Sequence, residues 1–132
     1  MKNIFLIFLI LSNSVFPYNW VKVGESVDGH SFFVDIDSIE RKLDYVYFYF
    51  MTDWLYPTSY GALFEISKIK SSCKHNKTLN ILTYWYSGNM SKGKLLNTFS
   101  IKELPNGVGN WLYNSPESIG EQILTFACNS LE

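Results

Sequence analysis

The stretch Asp44-Tyr-Val-Tyr-Phe-Tyr-Phe-Met-Thr-Asp-Trp54 decides the fold. It contains no Gly or Pro and is dense in aromatic residues, which is typical of a β-strand. Successive side chains of a strand point to opposite faces of the sheet. One face carries the apolar side chains Val46, Phe48 and Phe50. The other face carries Tyr45, Tyr47 and Tyr49. The apolar set should face the core, and the hydroxyl-bearing set can lie half-wet. A strand that is apolar on both sides belongs in the middle of a sheet.

The composition indicates one β-rich domain. The chain has 132 residues, 17% of them aromatic, and a formal net charge of -1. This length is typical of a single domain with its own core. Arg41 is the only arginine, so the sequence offers no basic patch of the kind that binds nucleic acid. We therefore expect no nucleic-acid partner.

The N-terminal residues are typical of a secretory signal peptide. Lys2 supplies a positive charge, an unbroken apolar run follows from residue 4 to residue 11, and Ser12-Asn13-Ser14 offers small residues for cleavage. The apolar run is too short to cross a membrane, which disfavours a retained anchor. We predict a signal peptide over residues 1–14, a single domain over residues 15–132, and no transmembrane segment after cleavage. No cysteine lies near the cleavage site, so the exported protein is not expected to be a lipoprotein.

Export would place the two cysteines in an oxidising compartment. Cys73 and Cys128 are the only ones, and an even count in an oxidising compartment favours a disulfide. Such a bridge would close a loop of about 56 residues and stabilise the fold by roughly 4 kcal/mol. A metal site would need more ligands, and His30 and His75 show no ligand spacing with the cysteines. We therefore expect neither a metal nor another cofactor.

The rest of the chain predicts an α+β fold. Apolar alternation between turn signals predicts six antiparallel strands in a meander, at Trp20–Val23, Ser31–Asp35, Asp44–Trp54, Leu63–Ser72, Thr78–Tyr86 and Lys94–Ile101. In the fifth strand, simple alternation places Leu79 on the same face as Thr83 and Trp85. Ser115 as a cap and Pro116 in the first turn predict a C-terminal helix from Pro116 to about Cys128, which packs on one face of the sheet.

An ordered set of short motifs resembles the surface-adhesin protein E family of exported bacterial proteins. The segments that carry the resemblance are Trp20-Val-Lys-Val-Gly24, Phe33-Val-Asp-Ile-Asp-Ser-Ile39, Asp53-Trp54, Cys73, Tyr86-Ser-Gly88, Trp111 and Ser115 to Cys128. The resemblance implies an antiparallel sheet with a C-terminal helix and one disulfide. It also implies a binding protein of the cell surface, which in the named members is an adhesin for host proteins.

Three functional classes are weighed from the sequence. The first is a non-enzymatic binding protein of the periplasm, outer surface or medium, with a protein partner. Its expected contact residues are aromatic, because aromatic side chains dominate interface energetics: Trp54, Tyr56, Tyr60, Tyr45 and Tyr47. A purely structural envelope protein that could form a homodimer through its sheet edge is a third class, which is hard to separate from the first.

The second class is a small hydrolase or metal enzyme that uses His30 with Asp35 or Asp37. The chain has no nucleophile elbow, paired-histidine metal motif or glycine-rich phosphate loop. The sequence therefore favours the binding protein.

Overall fold

The computed structural model describes residues 18–89 and 92–131, so the predicted signal peptide lies outside the described part of the chain. Within that part the fold is α+β, as predicted. The elements in chain order are β1 (Trp20–Glu25), β2 (Ser31–Asp35), β3 (Glu40–Lys42), β4 (Tyr45–Asp53), β5 (Phe64–Ser72), β6 (Lys77–Tyr86), β7 (Leu95–Ser100), β8 (Leu112–Tyr113) and the helix α1 (Ile119–Asn129).

The six longer strands form the predicted antiparallel meander. Their order in the sheet is β1-β2-β4-β5-β6-β7, and the short strands β3 and β8 pair with β4 and β6. The aromatic strand β4 lies inside the sheet, with β5 along one side. Along its other side, β2 pairs with the residues from Phe50 to Asp53, and β3 pairs with those from Tyr45 to Tyr47. A strand this apolar therefore has neighbours along both edges.

The helix packs on one face of the sheet, which we call the helix face. Its buried core is made by Ile123, Leu124 and Ala127 of α1 and by Val34, Val46, Phe48 and Ile69 of the sheet. An isolated helix of 11 residues is marginal in water. Burial of each large apolar side chain stabilises the fold by roughly 1.5–3 kcal/mol, so this packing supplies most of the stability of α1.

The opposite face, which we call the tyrosine face, carries Tyr45, Tyr47 and Tyr49 on β4 and Lys68 and Lys70 on β5. Toward the end of β4, this face is covered by a second apolar cluster, whose buried side chains are Met51, Phe64 and Ile66. The partly buried side chains packed around them are those of Tyr18, Trp20, Phe33, Tyr49 and Tyr86. Burial raises the pKa of the Tyr18 and Tyr49 phenols. Tyr45 and Tyr47, at the other end of β4, remain partly exposed.

The C-terminal helix begins later than the sequence predicted. Glu117 has a φ of 63°, so the residues after Ser115 form a turn rather than the first turn of the helix. Ser118 is the cap, because its side-chain oxygen accepts a hydrogen bond from the Glu121 amide at 3.2 Å. The predicted start at Pro116 and the predicted cap at Ser115 are therefore wrong, while the end of the helix lies one residue beyond the prediction.

A bulge in β6 corrects the predicted facing of one side chain. Lys68 of β5 pairs with Leu82, whereas the next residue, Ile69, pairs with Asn80, so Ile81 is an extra residue in β6. The bulge reverses the alternation. Leu79 pairs with Lys70 on the tyrosine face, whereas Thr83 and Trp85 lie on the helix face.

The predicted disulfide joins Cys73 to Cys128, with 6.1 Å between the two Cα atoms. Cys73 directly follows β5, and Cys128 lies in the last turn of α1. The bridge therefore fastens the C-terminal end of the helix to the end of a central strand.

Candidate functional site

The structure divides the five predicted contact residues into two separate groups. Tyr45 and Tyr47 lie on the tyrosine face. Trp54, Tyr56 and Tyr60 lie in or beside the loop that joins β4 to β5. Because β4 carries the first group at its beginning and leads into the second group at its end, the two groups are separated by the length of the strand.

The first group belongs to an aromatic–lysine cluster, which we define as Tyr45, Lys70, Lys77, Trp111 and Tyr113. The rings of Tyr45 and Trp111 stack, with centroids 5.7 Å apart and 26° between their planes. The Lys70 Nζ atom lies 4.2 Å from the Tyr45 ring centroid and 5.9 Å from that of Trp111. The Lys77 Nζ atom lies 4.6 Å from the Trp111 centroid and 5.8 Å from the Tyr113 centroid. Each ammonium group therefore lies within cation–π range of two rings.

Strand pairing brings these residues together. Lys70 of β5 pairs with Tyr47 of β4. Tyr45 lies two residues before Tyr47 on the same face of the sheet, so Lys70 is its diagonal neighbour. Lys77 begins β6 and pairs with Tyr113 of the short strand β8. The chain that leads into β8 carries Trp111, so a connection late in the sequence completes a cluster begun by the central strands. Each lysine ammonium group lies near two rings, and such contacts reduce the side-chain entropy that a partner would have to remove.

The cluster continues across the sheet as a groove. Lys42 and Lys68 lie over Tyr47 and Tyr49, with Nζ to centroid distances of 5.3 Å and 5.5 Å. Beside them a depression of about 520 Å³ is lined by apolar side chains, which include Leu79, and by Lys68, Lys70 and Lys102. A lining that is both apolar and basic suits a partner segment that is apolar and acidic.

The charge of this surface is largely uncompensated. Among the described residues, the ion pairs within 4.0 Å join Lys22 to Glu25 and Lys42 to Glu40. The lysines of the aromatic–lysine cluster take part in neither pair. A chain with a net charge of -1 therefore presents a local basic surface, and each lysine can donate up to three hydrogen bonds to acceptors on a partner.

The loop aromatics form a smaller exposed site. Tyr56 and Tyr60 are 52% and 58% exposed, and Trp54 is partly buried. Tyr56 lies edge-on to His30, with ring centroids 4.8 Å apart, and Tyr60 lies edge-on to Trp85 at 6.2 Å. These contacts hold the rings at the surface, but neither of the two ring contacts involves a lysine or an arginine.

The residues of the enzyme alternative do not come together. His30 precedes β2, whereas Asp35 ends it, so the two are separated by the whole strand. The His30 Nδ1 atom accepts a hydrogen bond from the Leu55 amide at 3.1 Å. Asp35 is buried and its Oδ1 atom accepts from the amides of Asn19 and Asp37, which is a structural role. Within residues 18–89 and 92–131, no three His, Cys, Asp or Glu side chains are grouped to hold a metal ion.

Sequence reasoning missed most of the aromatic–lysine cluster. It identified Tyr45 and Tyr47 through the alternation of β4, but it did not single out Lys70, Lys77, Trp111 or Tyr113 as contact residues. β8 has two residues, which is too short for alternation to reveal. The lysines at alternate positions in β5 could have indicated this surface. They show that one face of the strand is exposed to solvent, although β5 lies inside the sheet.

Comparison with known proteins identifies relatives of this fold. The sequence model of the surface-adhesin protein E family matches residues 20–129. Crystal form II of Haemophilus influenzae protein E is 15% identical with a TM-score of 0.58, and the match covers 86% of this chain and 90% of that one. A further structure of the protein is 14% identical with a TM-score of 0.56, and 83% of each chain is covered.

Protein E from non-typeable Haemophilus influenzae is 14% identical with a TM-score of 0.54, and the match covers 83% of this chain and 75% of that one. At these identities the structural likeness shows the fold alone. No curated protein matches the chain in sequence. In the part of the chain that the structure describes, no helix has the length and apolar character needed to cross a membrane.

Proposed function

The chain belongs to the surface-adhesin protein E family, and we propose that it is an exported adhesive protein whose tyrosine face binds a partner protein. The aromatic–lysine cluster is the observation that carries this proposal. It combines stacked rings with two lysines that make no ion pair among the described residues. Aromatic side chains supply contact area at low entropic cost, and the lysines supply charge complementarity.

The charge and shape of this surface indicate the class of partner. Carboxylates on the partner would receive hydrogen bonds from Lys70 and Lys77, and an apolar segment would occupy the neighbouring depression over Leu79. We therefore propose an acidic and apolar segment of an extracellular protein as the ligand. Salt should weaken such a complex, because exposed charges are screened at high ionic strength.

The test compares two charge-matched double variants. Lys70→Gln with Lys77→Gln removes both cluster ammonium groups, whereas Lys92→Gln with Lys94→Gln removes two exposed lysines from the connection between β6 and β7. Binding of the purified mature protein to a panel of immobilised extracellular-matrix proteins is measured by surface plasmon resonance. We expect the first variant to lose about five- to thirtyfold in affinity, at about 0.5–1 kcal/mol per lysine, and the second to bind as the wild type does.

Two results would contradict the proposal. Equal loss in both double variants would show that net charge alone matters. Failure of the wild-type protein to bind any member of the panel would remove the support for adhesion to matrix proteins. Circular dichroism of each variant checks that the fold is retained.

We propose the loop aromatics as a second and smaller contact. Their exposure favours this role, because side chains on loops are less committed to a core. Replacement of Trp54, Tyr56 and Tyr60 by Ala should weaken binding to the same matrix protein while leaving the circular dichroism spectrum intact. Loss of the folded spectrum would show instead that Trp54 is needed for the core.

The proposed site of action requires export. We propose that residues 1–14 are removed as a signal peptide and that the mature chain, from Val15, reaches the cell surface without a lipid anchor. N-terminal sequencing of protein from its native host should begin near Val15. A product that still starts at Met1 would contradict the proposed export.

A further inference from the structure

A second cavity lies on the other side of the sheet. On the helix face, a groove of about 220 Å³ separates the N-terminal half of α1 from β4, β5 and β6. Phe48, Phe50, Ile69 and Ile123 are among its apolar walls. Drug-sized ligands occupy pockets of about 300–1,000 Å³, so this groove suits a smaller molecule.

Of the described residues that line this groove, Glu65 is the one with a charged side chain. Its carboxylate is held from two sides. The Trp85 indole Nε1–H donates to Oε2 at 3.1 Å, and the Ser67 hydroxyl donates to Oε1 at 3.1 Å. The side chain is therefore fixed in position before any ligand arrives.

The hydrogen bonds behind Glu65 all run toward it. The one hydroxyl proton of Ser67 is donated to Glu65. In the 2.9 Å hydrogen bond between Ser67 and Thr83, Thr83 is therefore the donor. The Asn80 side-chain amide in turn donates to Thr83 at 2.6 Å. A chain of donors that ends on a carboxylate polarises cooperatively and favours its negative charge.

Among the residues that the structure describes, no cation pairs with this carboxylate. The ion pairs formed among residues 18–89 and 92–131 involve Glu25 and Glu40, and neither involves Glu65. A carboxylate at an apolar groove lacks part of its hydration and gains from a cationic partner there. The groove thus offers a fixed negative charge at one point and apolar walls elsewhere.

We propose that this groove binds a small primary alkylammonium ligand, whose ammonium group pairs with Glu65 and whose alkyl chain lies between the sheet and Ile123. This goes beyond the adhesive function, because the groove and the tyrosine face lie on opposite sides of the sheet. The ammonium group would donate to the carboxylate oxygens, and charge-assisted bonds of this kind are about twice as strong as neutral ones.

Trp85 provides a direct reporter for the test. Uniformly 15N-labelled mature protein is titrated with n-pentylammonium chloride, and the four tryptophan indole N–H resonances are followed by NMR. The variant Trp85→Phe assigns the reporter resonance. We expect the Trp85 resonance to shift and saturate, while the Trp111 resonance on the tyrosine face stays in place.

Matched ligands and variants separate charge from apolar contact. 1-Pentanol has the same chain without the charge and should bind about tenfold or more weakly. Glu65→Gln should abolish the response, whereas Glu40→Gln, which removes an exposed carboxylate, should retain it. The proposal is overturned if pentanol shifts Trp85 as strongly as pentylammonium, if neither ligand shifts it, or if folded Glu65→Gln still responds. The comparison of the two ligands on wild-type protein decides the matter even if the variant fails to fold.

Discussion

Besides lining the groove, the single residue Glu65 affects the stability of the fold. Burial raises the pKa of its carboxyl above the ordinary value of 4.5, although hydrogen bonds from Ser67 and Trp85 act in the opposite direction. The folded chain therefore holds this proton more tightly than the unfolded chain does. By linkage, the contribution of Glu65 favours folding below the ordinary pKa and is lost as the pH rises through the raised pKa.

Replacement of Glu65 by Gln should remove this pH dependence. The amide resembles the protonated carboxyl at every pH, so the variant should gain stability relative to the wild type as the pH rises from about 4 to about 7. Urea unfolding at several pH values measures the difference in free energy of unfolding. Glu103→Gln, an exposed position, is the control and should show no such trend. A constant difference between Glu65→Gln and the wild type would contradict the expected effect of burial.

At the scale of single residues, the sequence revealed alternation but not partners. The period of two in β4 was enough to place Tyr45 and Tyr47 on a half-exposed face. It could not show that Trp111, more than 60 residues later, stacks on Tyr45. Such contacts depend on how a long connection returns to the sheet, which local patterns do not encode.

Among the elements, α1 offers a test of its observed start. Ser118 accepts a hydrogen bond from the Glu121 amide, whereas Ser115 lies before the turn at Glu117. Ser118→Ala should lower the free energy of unfolding by about 1 kcal/mol, since it removes an N-cap. Ser115→Ala is the matched control, with an expected change within about 0.5 kcal/mol. A larger loss at Ser115 in thermal or urea unfolding would support the start that the sequence predicted.

The disulfide gives a second prediction, about how firmly α1 is held to the end of β5. Cys73 and Cys128 are 55 residues apart in sequence, so reduction frees a long loop in the unfolded chain. Replacement of both by Ser should lower stability by about 2–5 kcal/mol without changing the fold. Hydrogen exchange should accelerate first in the last turn of α1 and at the end of β5. Unchanged exchange in both places would show that packing alone holds the end of the helix.

Element type was easier to predict than the facing of side chains. The turn signals and alternation located all six long strands, because hydrophobic periodicity follows directly from what each face must bury. The bulge at Ile81 in β6 carries no Gly or Pro to mark it. One extra residue was therefore enough to move Leu79 to the tyrosine face, against the prediction from simple alternation.

For the whole molecule, the meander accounts for the success of the fold prediction. Consecutive strands that pair with one another need few long-range choices, so strand order follows from sequence order. The distribution of surface charge was not predictable in this way. A net charge of -1 conceals a lysine-rich tyrosine face on one side of the sheet and the carboxylate groove of Glu65 on the other.

We expect the tyrosine face to make the adhesive contact. Hydroxyl-radical footprinting with mass spectrometry tests this on the complex with whichever matrix protein binds, because oxidation of aromatic rings reports their exposure. We expect Trp111, Tyr113 and Tyr45 to be protected in the complex, with less protection at Tyr56 and Tyr60. Protection confined to Tyr56 and Tyr60, with Trp111 and Tyr113 oxidised as in the free protein, would contradict the claim.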